Sequence, residues 1–354
     1  MVINGFLMNR DIRVAEIVDN ETVVLNEKLA PIIFARGGGL VEWIESRAID
    51  RRRINSRLLK KALGITDTSD ISTVMQVNAA AVTDTYWIKE KGSDLCFDDV
   101  KFNENPFADL ALKGDIDSFV ENCGAQGRAC APDLTTVGSF EKCWRKSGGC
   151  WWLYKSGNDL ERFSELFVAR LGAAVGFDMA HYETEGDYIK TRDFTKGGAV
   201  IFEPAYNLVG DNKDYAYNYK KIAGLNLELA KQYIDILVMD TLCFNLDRHT
   251  FNYGFLRDSE TGDFISMAPN FDNNAALISR GYRKNPFCDN DILFSAFADF
   301  IKSSNLRFRL PLLNRKMVDE ILFCLDFNVD KRYVSEYVLY RYGVLCKIYE
   351  NFCV

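Results

Sequence analysis

Apolar and polar positions follow two different periods along this chain. Residues 22–25 (Thr-Val-Val-Leu) and 31–34 (Pro-Ile-Ile-Phe) are short apolar, β-branched runs, and the pattern predicts strands there. After Gly37-Gly38-Gly39 the stretch from Leu40 to Leu63 reads as a helix. Ser139 to Lys146 and Cys150 to Lys155 read as two strands around Ser147-Gly148-Gly149, a combination suited to a hairpin turn. Leu160, Phe163, Phe167 and Leu171 share one face at helical spacing, which predicts a helix from about Asp159 to Gly172. Strands at 178–185 and 188–194 are split by Gly186-Asp187. A strongly apolar helix is expected from Leu225 to Phe244, followed by a polar loop at 245–252. Strands at 253–256 and 264–268 flank a turn at Asp258–Gly262, and the rest reads as helices such as 316–325 and 333–352.

The chain has 354 residues, 48% of them apolar and 26% charged, with only 7 prolines. At about 150 residues per domain this suggests two ordered domains rather than a disordered chain. The net charge of -7 argues against a fold that holds nucleic acid as a whole. Ten cysteines are scattered through the chain, several in apolar runs such as Ile321-Leu322-Phe323-Cys324, which suits reduced thiols in a cytoplasmic protein. The start lacks the pattern of a signal peptide, and no apolar run reaches the length of a membrane span, so no membrane association is expected. With two histidines, His181 and His249, and neither a Gly-x-Ser-x-Gly nor a His-Glu-x-x-His pattern, acid–base chemistry falls mainly to carboxylates. The pairs Cys123/Cys130 and Cys143/Cys150 are spaced too widely for a zinc knuckle.

Residues 1–130 read as a separate, accessory α/β domain, ending in a linker at 116–132 rich in small residues. Its expected helix carries Arg47, Arg51, Arg52, Arg53, Arg57, Lys60 and Lys61. The run could face nucleic acid or an acidic partner, yet no aromatics interleave it, which favours a solvated helix face. The triple glycine lacks both the P-loop ending and the dinucleotide spacing, so it reads as a turn.

The chemistry concentrates in Asn245-Leu246-Asp247-Arg248-His249-Thr250-Phe251-Asn252, followed twenty residues later by Asp272. An Asp-x4-Asn pair recurs by chance in a chain this long. Here, however, it closes a buried helix and opens a hairpin whose second strand delivers an aspartate. Asn252 and Asp272 then supply two hard oxygen ligands for Mg²⁺ bridging nucleotide phosphates, and Asp247 faces the attacking hydroxyl. Lys155 ends the strand before the helix that offers Glu161, with Glu165 one turn on as its rival, an order suited to a lysine–glutamate pair on ATP phosphates.

These residues resemble the HipA-like serine/threonine kinases, whose fold is related to that of phosphoinositide 3-kinases. The resemblance rests on Asp247-Arg248-His249-x-x-Asn252, on Asn270-Phe271-Asp272 and on Lys155. It also rests on Thr135-Thr136-Val137-Gly138-Ser139-Phe140-Glu141-Lys142, which is similar to the family's phosphate-covering loop. It implies an α+β, two-lobed protein-kinase-like fold with a β-rich N-lobe at 131–195, a helical C-lobe at 196–354 and the added domain at 1–130. It further implies ATP and Mg²⁺ as cofactors and a protein Ser/Thr hydroxyl as acceptor. Asp247 is then the catalytic base, Asn252 and Asp272 are metal ligands, and Lys155 binds phosphate, with Glu161, Gly138 and Ser139 around the nucleotide. The adenine hinge falls at Ile189–Arg192, including Thr191, and Thr135 is the expected autophosphorylation site. An antitoxin-like or DNA-associated partner is the corresponding expectation. A small-molecule kinase of the aminoglycoside or choline type shares Asp-x4-Asn but usually has His two residues before the Asp, where this chain has Asn245. A non-catalytic nucleotide-binding module is the other alternative.

Overall fold

Local pairing along the first ninety residues builds a four-stranded antiparallel sheet. The strands Gly5–Asn9, Ile12–Val18 and Glu21–Val24 follow one another as a meander, and Tyr86–Glu90 returns to the free side of the first. The computed structural model describes residues 1–116 and 131–353, so most of the expected linker, with Cys123 and Cys130, lies outside the described residues. The described chain divides into two compact units: 1–156 with 184–203 and 256–265, and 157–183 with 204–255 and 266 onward.

Two expectations for the first unit change. Residues 31–34 are not a strand: Pro31 stands at the N-cap of a short helix, Ile32–Ala35, and Ile32 and Ile33 are buried. A four-residue apolar run carries no period of its own, so tertiary packing decides its state. The stretch 40–63 is two helices, Leu40–Glu45 and Ile54–Ala62, because the arginines between them go to separate partners. Arg47 pairs with Asp84 at 2.9 Å and Arg52 with Asp50 at 2.7 Å. Arg53 is 1% exposed and donates to the carbonyls of Thr136, Val137 and Gly138. The basic run is therefore not one solvated face.

A second antiparallel sheet has the order Lys142–Ser147, Cys150–Lys155, Tyr188–Arg192, Tyr182–Glu185. Ser147 pairs with Cys150 across a two-residue turn, and Gly148 (φ +57°) and Gly149 (φ +78°) supply the left-handed conformation that such a turn needs. One apolar core joins Met8, Trp87 and Phe107 to Trp144, Trp151 and Tyr154, so this hairpin packs on the N-terminal segment. The buried Glu203 accepts from the Ile32 amide at 2.8 Å and pairs with Arg257, whose guanidinium also reaches the Ala30 carbonyl at 3.0 Å. Those bonds fix 184–203 and 256–265 within the first unit.

The second unit is mainly helical. Its helices include Asp159–Ala174, Tyr215–Leu225, Leu227–Cys243, Ile292–Ser304, Arg315–Phe323 and Lys331–Cys353. Asn158, Asp214, Asn226, Asp291 and Asn314 each cap a helix start by accepting a backbone N–H, the role short polar side chains fill best. Asn226 also divides the expected 225–244 helix from its predecessor. Leu227–Cys243 is buried on most sides, and Phe244, with φ +53°, turns the chain out of it. Arg341, fully buried, donates to the Thr241 carbonyl and pairs with Asp291, locking the last long helix onto this core helix. Among the described residues no cysteine is in a disulfide, and no helix is long and apolar enough to cross a membrane.

Candidate active site

The end of the Leu227–Cys243 helix delivers Asp240 into the protein interior, and the polar loop that follows folds around it. Arg248 and Asp240 form a buried ion pair, with Nε and Nη2 at 2.9 and 2.8 Å from the two carboxylate oxygens. Burial pushes the Asp240 carboxyl above its usual range, and the Arg248 charge works against that rise. The rest of the guanidinium ties two chain segments together. It donates to the carbonyls of Asn252 and Phe271, the latter at 2.7 Å, and to the side-chain oxygens of Asn270 and Asn273 at 2.9 and 2.8 Å. Asn245 adds a second layer, donating to Asp240 and Asn273 and accepting the Asp247 amide at 3.1 Å.

The loop 245–252 and the segment 270–273 are thus one hydrogen-bonded unit, which brings together the loop of Asp247 and Asn252 and the segment of Asp272. Asn252, 5% exposed, donates its side-chain N–H to the Asp247 carbonyl at 3.0 Å. That bond orients the amide and leaves Oδ1 without a donor among the described residues. Asp272 has φ +60°, a left-handed conformation that non-glycine residues adopt rarely and that clusters at functional sites. Three bonds hold it there. Its own amide donates to the Tyr182 hydroxyl at 3.1 Å, the Asn273 amide to Glu165 at 3.0 Å, and the Asn270 amide to the Asp178 carbonyl at 2.9 Å. His249 is partly buried, which lowers its imidazole below the ordinary value against the pull of Asp247 and Asp272. Its Nδ1 accepts the Phe251 amide at 3.3 Å.

The donor set suits magnesium in one respect and excludes a protein-only cage in another. Among the described residues no three His, Cys, Asp or Glu side chains converge as a metal site. Mg²⁺ characteristically uses one or two protein oxygens together with phosphate and water, a need that Asn252 and Asp272, on segments tied by Arg248, would suit.

Of the two rival acids on the Asp159–Ala174 helix, Glu161 is engaged at the helix start, its carboxylate accepting the Asn158 amide at 2.9 Å in a capping box. Glu165 is fully buried and reaches Asn273, the neighbour of Asp272. The remaining expected residues belong to the first unit. Lys155 is buried at the end of its strand, in register with Ile189, and Thr191 follows on that neighbouring strand, its hydroxyl buried without a partner among the described residues. Gly138 has φ +106°, and a Cβ there would stand 2.3 Å from Lys142 Nζ, which explains why glycine holds this position. Lys142 Nζ also donates to the Val137 carbonyl at 3.1 Å, and Glu141 accepts the Ile54 amide at 2.6 Å. Arg53 beneath the loop, with Glu141 and Lys142, fixes its path.

Thr135 does not lie on an open loop. It ends the 3-10 helix Pro132–Thr135, is 8% exposed, and donates its hydroxyl to the Ala80 carbonyl at 2.7 Å. Thr136 is likewise buried and bonded to the Pro132 carbonyl at 2.9 Å, whereas Ser139 is exposed. Sequence reasoning named Arg248 only as part of the loop and did not single out Asp240. An Arg beside Asp247, eight residues after an Asp inside an apolar helix, is the signal that could have exposed their pairing.

No protein-family model matches the sequence, and no curated protein matches it. Solved structures do. A HipA chain from the Shewanella oneidensis MR-1 toxin–antitoxin complex of HipA, HipB and operator DNA aligns over 98% of this chain and 97% of its own, with a TM-score of 0.58 and 12% identity. The Helicobacter pylori proinflammatory kinase CtkA aligns over 59% of this chain and 94% of its own, with a TM-score of 0.44 and 15% identity. Across nearly its whole length, the chain has the α+β fold of HipA, the fold that its resemblance to the HipA-like kinases implies.

Proposed function

We propose that the protein is an ATP- and Mg²⁺-dependent serine/threonine protein kinase of the HipA-like type. The observation that carries the reading is the Arg248 network, which holds the Asp247–Asn252 loop and the Asp272 segment in one constellation. In this reading Asp247 accepts the proton of a Ser or Thr hydroxyl as its oxygen attacks the γ-phosphorus. The bond to the β–γ bridging oxygen breaks, ADP leaves, and a phosphomonoester remains. Asn252 Oδ1 and Asp272 hold the metal, which when bound neutralises charge on the phosphate oxygens. Lys155 binds the phosphates, Gly138 and Ser139 cover them, and Thr191 lies on the strand assigned to the adenine hinge. Glu165, rather than Glu161, is the acid that positions the Asp272 segment.

Asn245 favours a protein substrate over a small-molecule one. Small-molecule kinases usually carry a histidine at this place, and here Asn245 is 2% exposed and bonded to Asp240, Asn273 and the Asp247 amide. The neighbour of like fold is assembled with HipB and operator DNA, and a controlling protein partner in the cytoplasm is the matching proposal here. Autophosphorylation fits the exposed Ser139 better than Thr135, which must first unwind its turn. Incubation with Mg-ATP, intact-mass analysis and peptide mapping test the reading. Phosphate on Ser or Thr, absent from Asp247→Asn, supports it. A folded, ATP-binding protein that transfers phosphate to no added or internal hydroxyl overturns it.

A further inference from the structure

Four basic side chains of the first unit converge on a concavity that the kinase reading leaves without a role. Arg51, Arg57, Lys60 and Lys61 line, with Thr66 and Thr68, a cavity of about 510 Å³ beside the helix Ile54–Ala62. Its size lies within the range of about 300–1,000 Å³ usual for small-molecule sites. Of the four cations, only Arg51 has an acidic partner, Asp70 at 3.0 Å. The side chains of Arg57, Lys60 and Lys61 have no hydrogen bond or ion pair to any described residue.

Lys60 is the informative member. The residue is 5% exposed, yet its ammonium meets no acceptor among the described residues, and the cavity it lines is where its charge can be met. The stem of Lys60 is buried while its ammonium opens to the cavity, and partial burial lowers the ammonium's pKa, with Asp70 only partly opposing. Basic residues in a last helical turn often serve the helix dipole or the terminal carbonyls. That role explains Lys61, which is exposed, but not the burial of Lys60, which touches no carbonyl. An anion in the cavity would meet Lys60 and draw on Arg57 and Lys61, with the Thr66 and Thr68 hydroxyls as further donors.

We propose that this cavity binds a small molecule through a phosphate or pyrophosphate group. The site is made by residues 51–68 alone and does not depend on the kinase assignment. A duplex backbone is the less suitable occupant, since it would engage the exposed Arg57 and Lys61 but leave the recessed Lys60 unmet.

Calorimetric titration of the full chain with inorganic pyrophosphate, and separately with inorganic phosphate, tests the proposal in the absence of magnesium and nucleotide. Pyrophosphate is expected to bind, with affinity reduced at least about tenfold by Lys60→Met and by Arg57→Met. Lys155→Met, which removes the lysine assigned to ATP phosphates, is expected to leave that binding unchanged. Tighter binding of pyrophosphate than of phosphate identifies a diphosphate group, and equal binding a monophosphate. Because Lys60→Met alters a buried residue, a second readout uses the wild-type protein. Its lysines are ¹³C-methylated, and the Lys60 resonance should shift on titration with pyrophosphate. Loss of binding in Lys155→Met alone overturns the proposal. So does the absence of any pyrophosphate-dependent Lys60 shift, or Lys60-dependent duplex DNA binding that pyrophosphate does not compete.

Discussion

Replacing Arg248 with lysine keeps the positive charge but removes the fork that joins the two halves of the site. The guanidinium serves six acceptor atoms: two on Asp240, the carbonyls of Asn252 and Phe271, and the side-chain oxygens of Asn270 and Asn273. Asn245 also serves Asp240 Oδ1 and Asn273 Oδ1, so four acceptors depend on Arg248 alone, and the three donors of a lysine ammonium leave at least one of them without a partner. With one buried group left unsatisfied, Arg248→Lys should destabilise the protein by about 1–3 kcal/mol. Urea unfolding followed by far-ultraviolet circular dichroism measures this, with the slope checked for two-state behaviour. Arg248→Met should cost more, about 3–5 kcal/mol, because it strands the Asp240 charge. Removing both partners in Arg248→Met/Asp240→Leu should recover at least about 2 kcal/mol relative to the sum of the single changes. If Arg248→Lys unfolds within about 0.5 kcal/mol of the wild type, the guanidinium is not the tie between the segments.

Other consequences follow from single residues. Gly138→Ala forces a Cβ onto Lys142 Nζ at φ +106°, and steady-state kinetics should show a raised KM for ATP while thermal unfolding shows a loss of about 1–3 kcal/mol. Glu165→Gln should lower the phosphoryl-transfer rate by at least about tenfold by loosening the Asp272 segment. Glu161→Gln, which touches only a helix cap, should leave that rate within about twofold and cost about 1 kcal/mol of stability. Asp235 is raised by burial from 3.8 to about 6, so its carboxyl favours the protonated form in the folded state. Its ionisation penalises the fold above that value, and the penalty is absent below the unfolded value. Asp235→Asn should therefore stabilise the protein by about 1–2 kcal/mol at pH 7, after allowance for solvent screening, and this gain should vanish below pH 4.

What the sequence made legible is what repeats on a fixed spacing. The face of Leu160, Phe163, Phe167 and Leu171 marks the Asp159–Ala174 helix, and Ser147-Gly148-Gly149 marks the hairpin turn, since each is set by neighbours along the chain. Asp247, Asn252 and Asp272 stand out in the sequence as the order of oxygens expected for phosphoryl transfer, and the Arg248 bonds join the two segments that carry them. Contacts distant in sequence left no comparable trace. Residues 31–34 are too few to show a period, and Arg53 looks like any exposed arginine until the carbonyls of 136–138 close over it. The burial of Thr135 depends on Ala80, fifty-five residues earlier. The central strands Gly5–Asn9 and Ile12–Val18 escaped because polar residues interrupt their alternation; pairing with each other, with Tyr86–Glu90 on one side and with Glu21–Val24 on the other stabilises them.

The central claim is the division of labour between Asp247 and Asp272, and calorimetry of Mg-ATP binding alongside a phosphoryl-transfer assay tests it most directly. Asp247→Asn should abolish transfer while leaving Mg-ATP affinity within about threefold, because Asp247 meets the hydroxyl rather than the nucleotide. Asp272→Asn should weaken Mg-ATP binding by at least about tenfold, because it removes a negative oxygen ligand from the metal. If Asp247→Asn loses nucleotide binding as severely as Asp272→Asn, or retains transfer at the wild-type rate, the roles assigned to the two aspartates are wrong.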